Sequence, residues 1–173
     1  MTIRKAKAGD LARCLEIYGI ARTYMRKSGN PDQWGTAYPP QELIVEDIAA
    51  GRLYVAVEND TVEGVFLLAM GPDETYLEIE GAWLNDAPYV VIHRIASSGR
   101  VKGVVRAAVA FALQQADNVR IDTHENNHTM QNALARLGFR HCGTIYVGTS
   151  WEGRSPRMAF HLAPTGEILP PTA

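Results

Sequence analysis

Between Tyr89 and Glu125 the chain reads as an apolar strand, a glycine-bearing basic turn, an alanine-rich helix and a second strand. The segment is "YVVIHRIASSGRVKGVV", then the helix from Val104 to about Ala116, then "NVRIDTHE". A strand–helix–strand step of this kind places its two strands parallel, joined by a right-handed crossover. Most of the other strand signals come in antiparallel style. "LYVAVEND" and "TVEGVFLLAM" flank the turn pair Asn59-Asp60 and predict a hairpin. "TIRKA" and "YLEIEGAWL" alternate as strands, and "RHCGTIYV" and "RMAFHL" close the sheet. The helices predicted are one from Leu11 with Asp10 as its cap and Gly29 as its stop, "QELIVEDIAA" ending at Gly51, and one capped by Asn126 or Asn127 with a Met130, Ala133, Leu134, Leu137 stripe. The fold class is α/β in the α+β sense: a mixed, mostly antiparallel sheet with one parallel pair and helices on both faces.

The 173 residues contain no repeat and no linker, so they read as a single domain, 1–173, with 163–173 as a loose tail. A net charge of −2 argues against a nucleic-acid partner, which calls for a basic excess. No apolar run approaches the roughly 18 residues of a membrane span. The charged start "MTIRKAKAGD" does not resemble a signal peptide. The two cysteines have no metal-site spacing and build no disulfide framework. The expectation is a cytoplasmic, reduced, metal-free protein. A homodimer is the commonest soluble assembly, but nothing in the residues fixes one.

The junction at Ser97–Val105 is the most informative chemistry. First-turn amides of a helix lack internal partners and carry partial positive charge, so they suit a phosphate. Gly99 and Gly103 let backbone approach oxygens closely, and Arg100 and Lys102 add charge. A plain turn with solvated basic residues accounts for the same stretch. Two nucleotide readings fail: there is no GK[ST] ending, and the glycines do not follow G-x-G-x-x-G.

The stretch Arg100-Val101-Lys102-Gly103-Val104-Val105 resembles the acyl-coenzyme A signature [QR]-x-x-G-x-[GA] of the GCN5-related N-acetyltransferase (GNAT) family, with Val105 replacing the last small residue. "IRKAKAGDLARCLEIYGIAR" is similar to that family's first strand and helix, and "NNHTMQNALARLGFRHCGTIY" to its last helix and following strand. The resemblance spans residues 2 to about 162. It implies the acyl-CoA N-acyltransferase fold, with the parallel strands splayed and the pantetheine arm of acetyl-CoA lying in the gap like an added strand. It assigns the arm to Ile95 and Ser97. The diphosphate falls to the turn and helix start: Gly99, Arg100, Val101, Lys102, Gly103, Val104 and Val105. Asn127 matches a coenzyme-contacting position, and it reads equally as a helix cap.

The activity implied is acetyl transfer from acetyl-CoA to a primary amine in a ternary complex, with a small molecule or a peptide as acceptor. Leu134 stands where many members carry a tyrosine acid. That departure keeps open a non-catalytic acyl-CoA binding or sensing module. Candidate bases are His93 and Glu80, and Tyr146 is a candidate acid. Each has a plainer reading: a hydrogen-bonded core histidine, a solvated strand face, a packed tyrosine. His124 stands behind these. His93 is placed on the alternating face of Val91 and Ile95. Trp34, Tyr38, Tyr76 and Trp83 read as walls of an acceptor pocket or as a satellite core. Glu78, Glu80 and Asp86 point to a cationic acceptor.

Overall fold

In the computed structural model, which describes residues 1–150 and 153–165, the long strand Thr61–Met70 is central to the sheet. Every residue from Val62 to Leu68 is buried, as expected of a strand covered on both faces. In chain order the elements are β1 (Thr2–Lys5), α1 (Leu11–Lys27), α2 (Gln41–Ala49), β2 (Leu53–Glu58), β3 (Thr61–Met70), β4 (Glu80–Gly81), β5 (Val90–Ser97), α3 (Val104–Ala112), β6 (Val119–Thr123), α4 (His128–Arg136), β7 (Arg140–Ser150) and β8 (Gly153–Leu162). They form one eight-stranded sheet in the order β1-β2-β3-β5-β6-β8-β7-β4. Only β5 and β6 pair in parallel, and the mixed sheet is borne out. The part of the expected tail from residue 166 onward lies outside the described residues.

The two faces are covered by different helices. Phe66, Leu68, Val90, Ile92, Ile121 and Phe160 pack against α3 and α4 through Ala108, Val109, Ala112 and Leu134. Leu53, Val55, Val65 and Ala96 pack against α1 and α2 through Cys14, Ile17, Tyr18 and Ile44. A third cluster, Tyr76, Tyr89, Val91, Ile145 and Ala159, holds the segment before β5. The Asn59-Asp60 hairpin is present, with φ of 47° and 60°, the left-handed pair that matches strand twist in a two-residue turn.

Two local expectations are corrected. "YLEIEGAWL" is not a strand beyond Glu80–Gly81, which pairs with Thr144 and Gly143 of β7. Asp73 accepts from the Thr75 amide at 2.9 Å and its hydroxyl at 2.6 Å, and Trp83 Nε1 donates to the Tyr76 carbonyl at 3.0 Å. These local bonds compete with a ladder and hold Glu74–Tyr76 as a single 3₁₀ turn. Nor does Asp10 cap α1: its carboxylate accepts from the Lys7 amide at 2.7 Å and from Arg4 at 2.7 and 3.0 Å.

β5 contains a bulge. Leu67 of β3 faces His93 and Val65 faces Ala96, so three steps along β5 match two along β3. Arg94, at φ 50°, absorbs the extra residue. Side-chain parity reverses there. Val90 and Ile92 face α3 and α4 before the bulge, and Ile95 packs on that same cluster after it. His93 therefore shares its face with Val91 but not with Ile95. His93 and Arg94 both turn toward the α1 and α2 side.

The start of α3 is seated on β3 by a glycine. A Cβ on Gly64 would lie 2.4 Å from Val104 Cγ1 and 3.2 Å from the Ala56 Cβ. Gly64→Ala should therefore lower stability by about 1–3 kcal/mol, the usual range for overpacking, as measured by urea unfolding.

Candidate active site

β5 and β6 pair only at Val90 with Val119 and Val91 with Arg120. Beyond that point β5 stays on β3 as far as Ser97, and β6 stays on β8 as far as Thr123. Their facing edges are left without strand partners, the polar backbone arrangement that an added extended chain would satisfy. A cavity of about 620 Å³ occupies the gap.

His93 lines that cavity. Its Nε2 lies 2.7 Å from Asp73 Oδ2, and its Nδ1 lies 3.6 Å from Asp122 Oδ1. Asp122 Oδ1 in turn accepts from the Tyr76 hydroxyl at 2.6 Å. Burial alone would raise the Asp73 carboxyl, but the hydrogen bonds from His93 and Thr75 outweigh it and bring its pKa down to about 2. Asp73 is thus a carboxylate at neutral pH and orients the ring through Nε2, so that Nδ1 is the nitrogen turned toward Asp122. Burial, then Asp122, pushes the Tyr76 hydroxyl well up, so it stays a donor.

The loop after α1 closes over this gap. Trp34 is buried with its ring edge on Tyr18, centroids 5.7 Å apart, and Tyr38 follows at 6.4 Å from Trp34. Gln33 pins the loop, its Oε1 accepting from Asn30 Nδ2 at 2.8 Å and from Asn127 Nδ2 at 3.0 Å. Its carbonyl accepts from Arg157 Nη2 at 3.2 Å. Asn127 also caps α4, accepting from the Met130 amide at 3.1 Å. The helix-cap reading is thus present, and the same side chain lines the cavity.

A smaller cavity of about 290 Å³ lies at the start of α3, bounded by Ser97, Gly103, Val104 and Val105 and by Ala133 and Leu137 of the α4 side. Gly103, at φ 91°, is the cap residue, and Ala107 to Gly103 is the first helical bond. Among the described residues, the amides of Val101 to Arg106 have no hydrogen-bond partner. Those of Gly99 and Arg100 are taken by the Ser97 and Ser98 hydroxyls, at 3.2 and 3.1 Å. The Arg100 guanidinium is drawn to Glu63, with Nη2 at 2.6 Å from Oε1. It is therefore not the free charge expected from the sequence. Ser98 hydrogen-bonds the same carboxylate, and with Arg100 it holds the Glu63 pKa low.

Other expected residues stand elsewhere. Glu80 and Tyr146 are brought together, the Tyr146 hydroxyl donating to Glu80 Oε1 at 3.0 Å, but neither lines the cavity. Glu78 is exposed, 3.5 Å from Arg154. Trp83 packs between Tyr76 and Arg120, so it is core rather than pocket wall. His124 Nδ1 accepts from the Asn126 amide at 3.1 Å. Leu134 is fully buried among α3, α4 and the sheet.

Gln33, Asp73, Asp122 and Arg157 were not singled out in the sequence, yet all four line the cavity. The one available signal was Arg157 beside "MAF"; Asp122 sits at an ordinary polar position of the alternating "VRIDT" and Asp73 in a polar loop.

The fold is the acyl-CoA N-acyltransferase fold, and the resemblance to the GNAT family is borne out by solved structures. A GNAT-family acetyltransferase of Streptococcus agalactiae matches at TM-score 0.82 and 29% identity, over 94% of this chain and 95% of that one. A candidate acetyltransferase of Staphylococcus aureus matches at TM-score 0.68 and 25% identity, over 94% and 99%. In fold alone, a candidate acetyltransferase of Salmonella typhimurium, solved with its cofactor acetyl-CoA, matches at TM-score 0.61 and 16% identity, over 99% and 98%. No family model matches the chain, and neither does any curated protein. Among the described residues no helix is long and apolar enough to cross a membrane.

The Asp73 geometry sets an acid limb for stability. A carboxyl whose pKa drops from 3.8 to about 2 on folding stabilises the folded state above pH 3.8. That contribution is lost as pH falls toward 2. Thermal melts across this window should show the loss in the wild type and a flatter profile in Asp73→Asn.

Proposed function

We propose that the chain is an N-acetyltransferase that moves the acetyl group of acetyl-CoA onto a primary amine by direct transfer in a ternary complex. One observation carries the reading: an unpaired strand edge runs from an open helix start to a histidine held by a carboxylate. The residues fit the coenzyme. The free amides of Val101 to Arg106 and the positive helix end suit a diphosphate. The β5 edge at Ile95 and Ser97 suits the amides of a pantetheine arm. Bound there, acetyl-CoA supplies an activated acyl thioester.

The chain's own residues do the rest. An ammonium acceptor cannot attack until it loses a proton, and His93 Nδ1 is the group placed to take it. Asp73 stabilises the imidazolium that results. Asp122 keeps one oxygen on Tyr76 and presents its charge to the amine beside His93. Orienting the two reactants in one gap contributes as much as proton transfer does. Attack forms the N–C bond and breaks the C–S bond; the second proton, shed by the new amide nitrogen, goes to the departing thiolate of coenzyme A, the first having gone to His93. Glu80 and Tyr146 have no part in this scheme, and the aromatic wall on the acceptor side is Trp34 with Tyr38.

Thiol release from acetyl-CoA with a panel of amines, amino acids and peptides tests the reading. Turnover with at least one acceptor is expected, and His93→Gln should lower kcat by about 10²–10⁴-fold with coenzyme affinity kept. Tight coenzyme binding with no turnover on any acceptor would favour the sensing module that Leu134 suggests. Gly103→Asp should weaken coenzyme A binding severely, since it strains a left-handed position and adds negative charge at the open amides. Unchanged affinity in the folded variant would remove the diphosphate assignment.

A further inference from the structure

We infer that the acceptor amine also carries a carboxylate, and that Arg157 binds it. The inference rests on the acetyltransferase reading and narrows its substrate to amino acids and similar small amino-carboxylates.

Arg157 is 8% exposed and lines the cavity together with His93 and Asp122. Among the described residues its hydrogen bonds are Nη1 to Ser155 Oγ at 2.5 Å, Nη1 to the Pro156 carbonyl at 3.1 Å and Nη2 to the Gln33 carbonyl at 3.2 Å. All three acceptors are neutral oxygens. No carboxylate of the described residues forms an ion pair with it, although Asp122 is near enough to act on it electrostatically. A guanidinium taken from water normally has an anion to offset the loss of solvation.

The other sheltered arginines have their compensation. Arg94 has Asp47, a fully buried carboxylate that also holds Arg52. Arg120 lies between the rings of Trp83 and Tyr89, at 4.2 and 3.8 Å from their centroids. Arg100 has Glu63. Among the described residues Arg157 has neither an ion-paired carboxylate nor an aromatic face, and burial lowers its affinity for its proton. A ligand carboxylate in the cavity would provide the missing charge, and a planar guanidinium can hold it with two parallel bonds.

The strand order sets the distance. β6 lies between β5 and β8. Asp122 is opposite Ala159, and Arg157 stands two residues before Ala159, on the same side of β8. His93, Asp122 and Arg157 therefore project from one face of three neighbouring strands. Two strand spacings amount to about 10 Å between backbones, and side chains reaching inward from both ends shorten that. An amine at His93 and Asp122 with a carboxylate at Arg157 describes a compact zwitterion. A lone cation would leave Arg157 facing like charge.

The test uses α-, β- and ω-amino acids, each beside its own carboxamide, which keeps the amine and the size but removes the charge. Two readouts are taken: thiol release from acetyl-CoA, and calorimetric binding to the protein saturated with coenzyme A. The wild type should prefer the carboxylate by about 10- to 100-fold in kcat/KM, as for loss of a charged hydrogen-bond pair. Arg157→Gln should raise KM for the amino acid by a similar factor, leave KM for acetyl-CoA unchanged and erase the preference. Arg157→Lys should recover part of it. Unchanged coenzyme A affinity reports an intact fold, and the wild-type preference stands even if the variant fails to fold. Equal or better use of carboxamides would overturn the inference while the acetyltransferase reading stands. Amino-acid binding that needs Arg157 but gives no turnover would do the reverse. Neither binding nor turnover with any acceptor would overturn both.

Discussion

The single extra residue at Arg94 decides where chemistry can occur in this molecule. A β-bulge carries one unpaired residue and bends its strand, and here it lies three residues beyond the last pairing of β5 with β6. A non-glycine residue in the left-handed region costs on the order of 1–3 kcal/mol unless its surroundings compensate. They do so on both sides. The buried Tyr18 hydroxyl donates to the Arg94 carbonyl at 2.9 Å, and the Arg94 guanidinium meets Asp47 of α2. The bulge also puts two successive side chains, His93 and Arg94, on one face. One anchors the strand to α2 and the other enters the cavity.

Buried carboxylates hold the remaining geometry. Asp47 fixes the bulge, Glu63 fixes the turn before α3 through Ser98 and Arg100, and Asp73 fixes His93. Desolvation offsets part of the attraction in such pairs. Their consequence is positional. Glu63 fastens Arg100 at the turn and leaves the amides from Val101 onward to face outward. The backbone, rather than the arginine that the sequence brings forward, carries the open donors of the junction.

The strand–helix–strand step, the Asn59-Asp60 hairpin and the Asn127 cap were legible because each is a local signal: periodicity, a left-handed turn pair, a side chain within reach of a first-turn amide. The parallel pair followed from chain connectivity alone. The bulge was not legible, since nothing in "VVIHRIAS" distinguishes regular alternation from alternation with one inserted residue. Its absence from the expectation put His93 on the face of Ile95. "YLEIEGAWL" misled for the opposite reason. Its alternation is real, but Asp73 and Trp83 bind local backbone and hold the segment beneath the sheet. Glu80 and Tyr146, read as separate base and acid candidates, meet each other at a distance in sequence and away from the cavity lining. Asp73, Asp122 and Arg157 come from three separated segments, and only the strand order β5-β6-β8 brings them together.

The smaller cavity lies on the α3 and α4 side of the sheet, whereas the larger one fills the β5–β6 gap with both Met130 of α4 and His93 on its wall, and this bears on how the proposed reaction is organised. Ser97, Val105, Ala133 and Leu137 bound the smaller one on the α3 and α4 side. His93, Asp122 and Arg157 project to the other side. The gap between β5 and β6, lined by Ile95 and Ile121, connects the two. An arm anchored at the start of α3 can reach His93 only by passing through that gap. There it covers the unpaired strand edges and closes the cavity from behind. The acceptor must then enter from the opposite side, under Trp34 and Tyr38, where the loop pinned by Gln33 meets Arg157. In the proposed reaction donor and acceptor would thus meet at His93 from different sides of the gap, an arrangement compatible with direct transfer in a ternary complex.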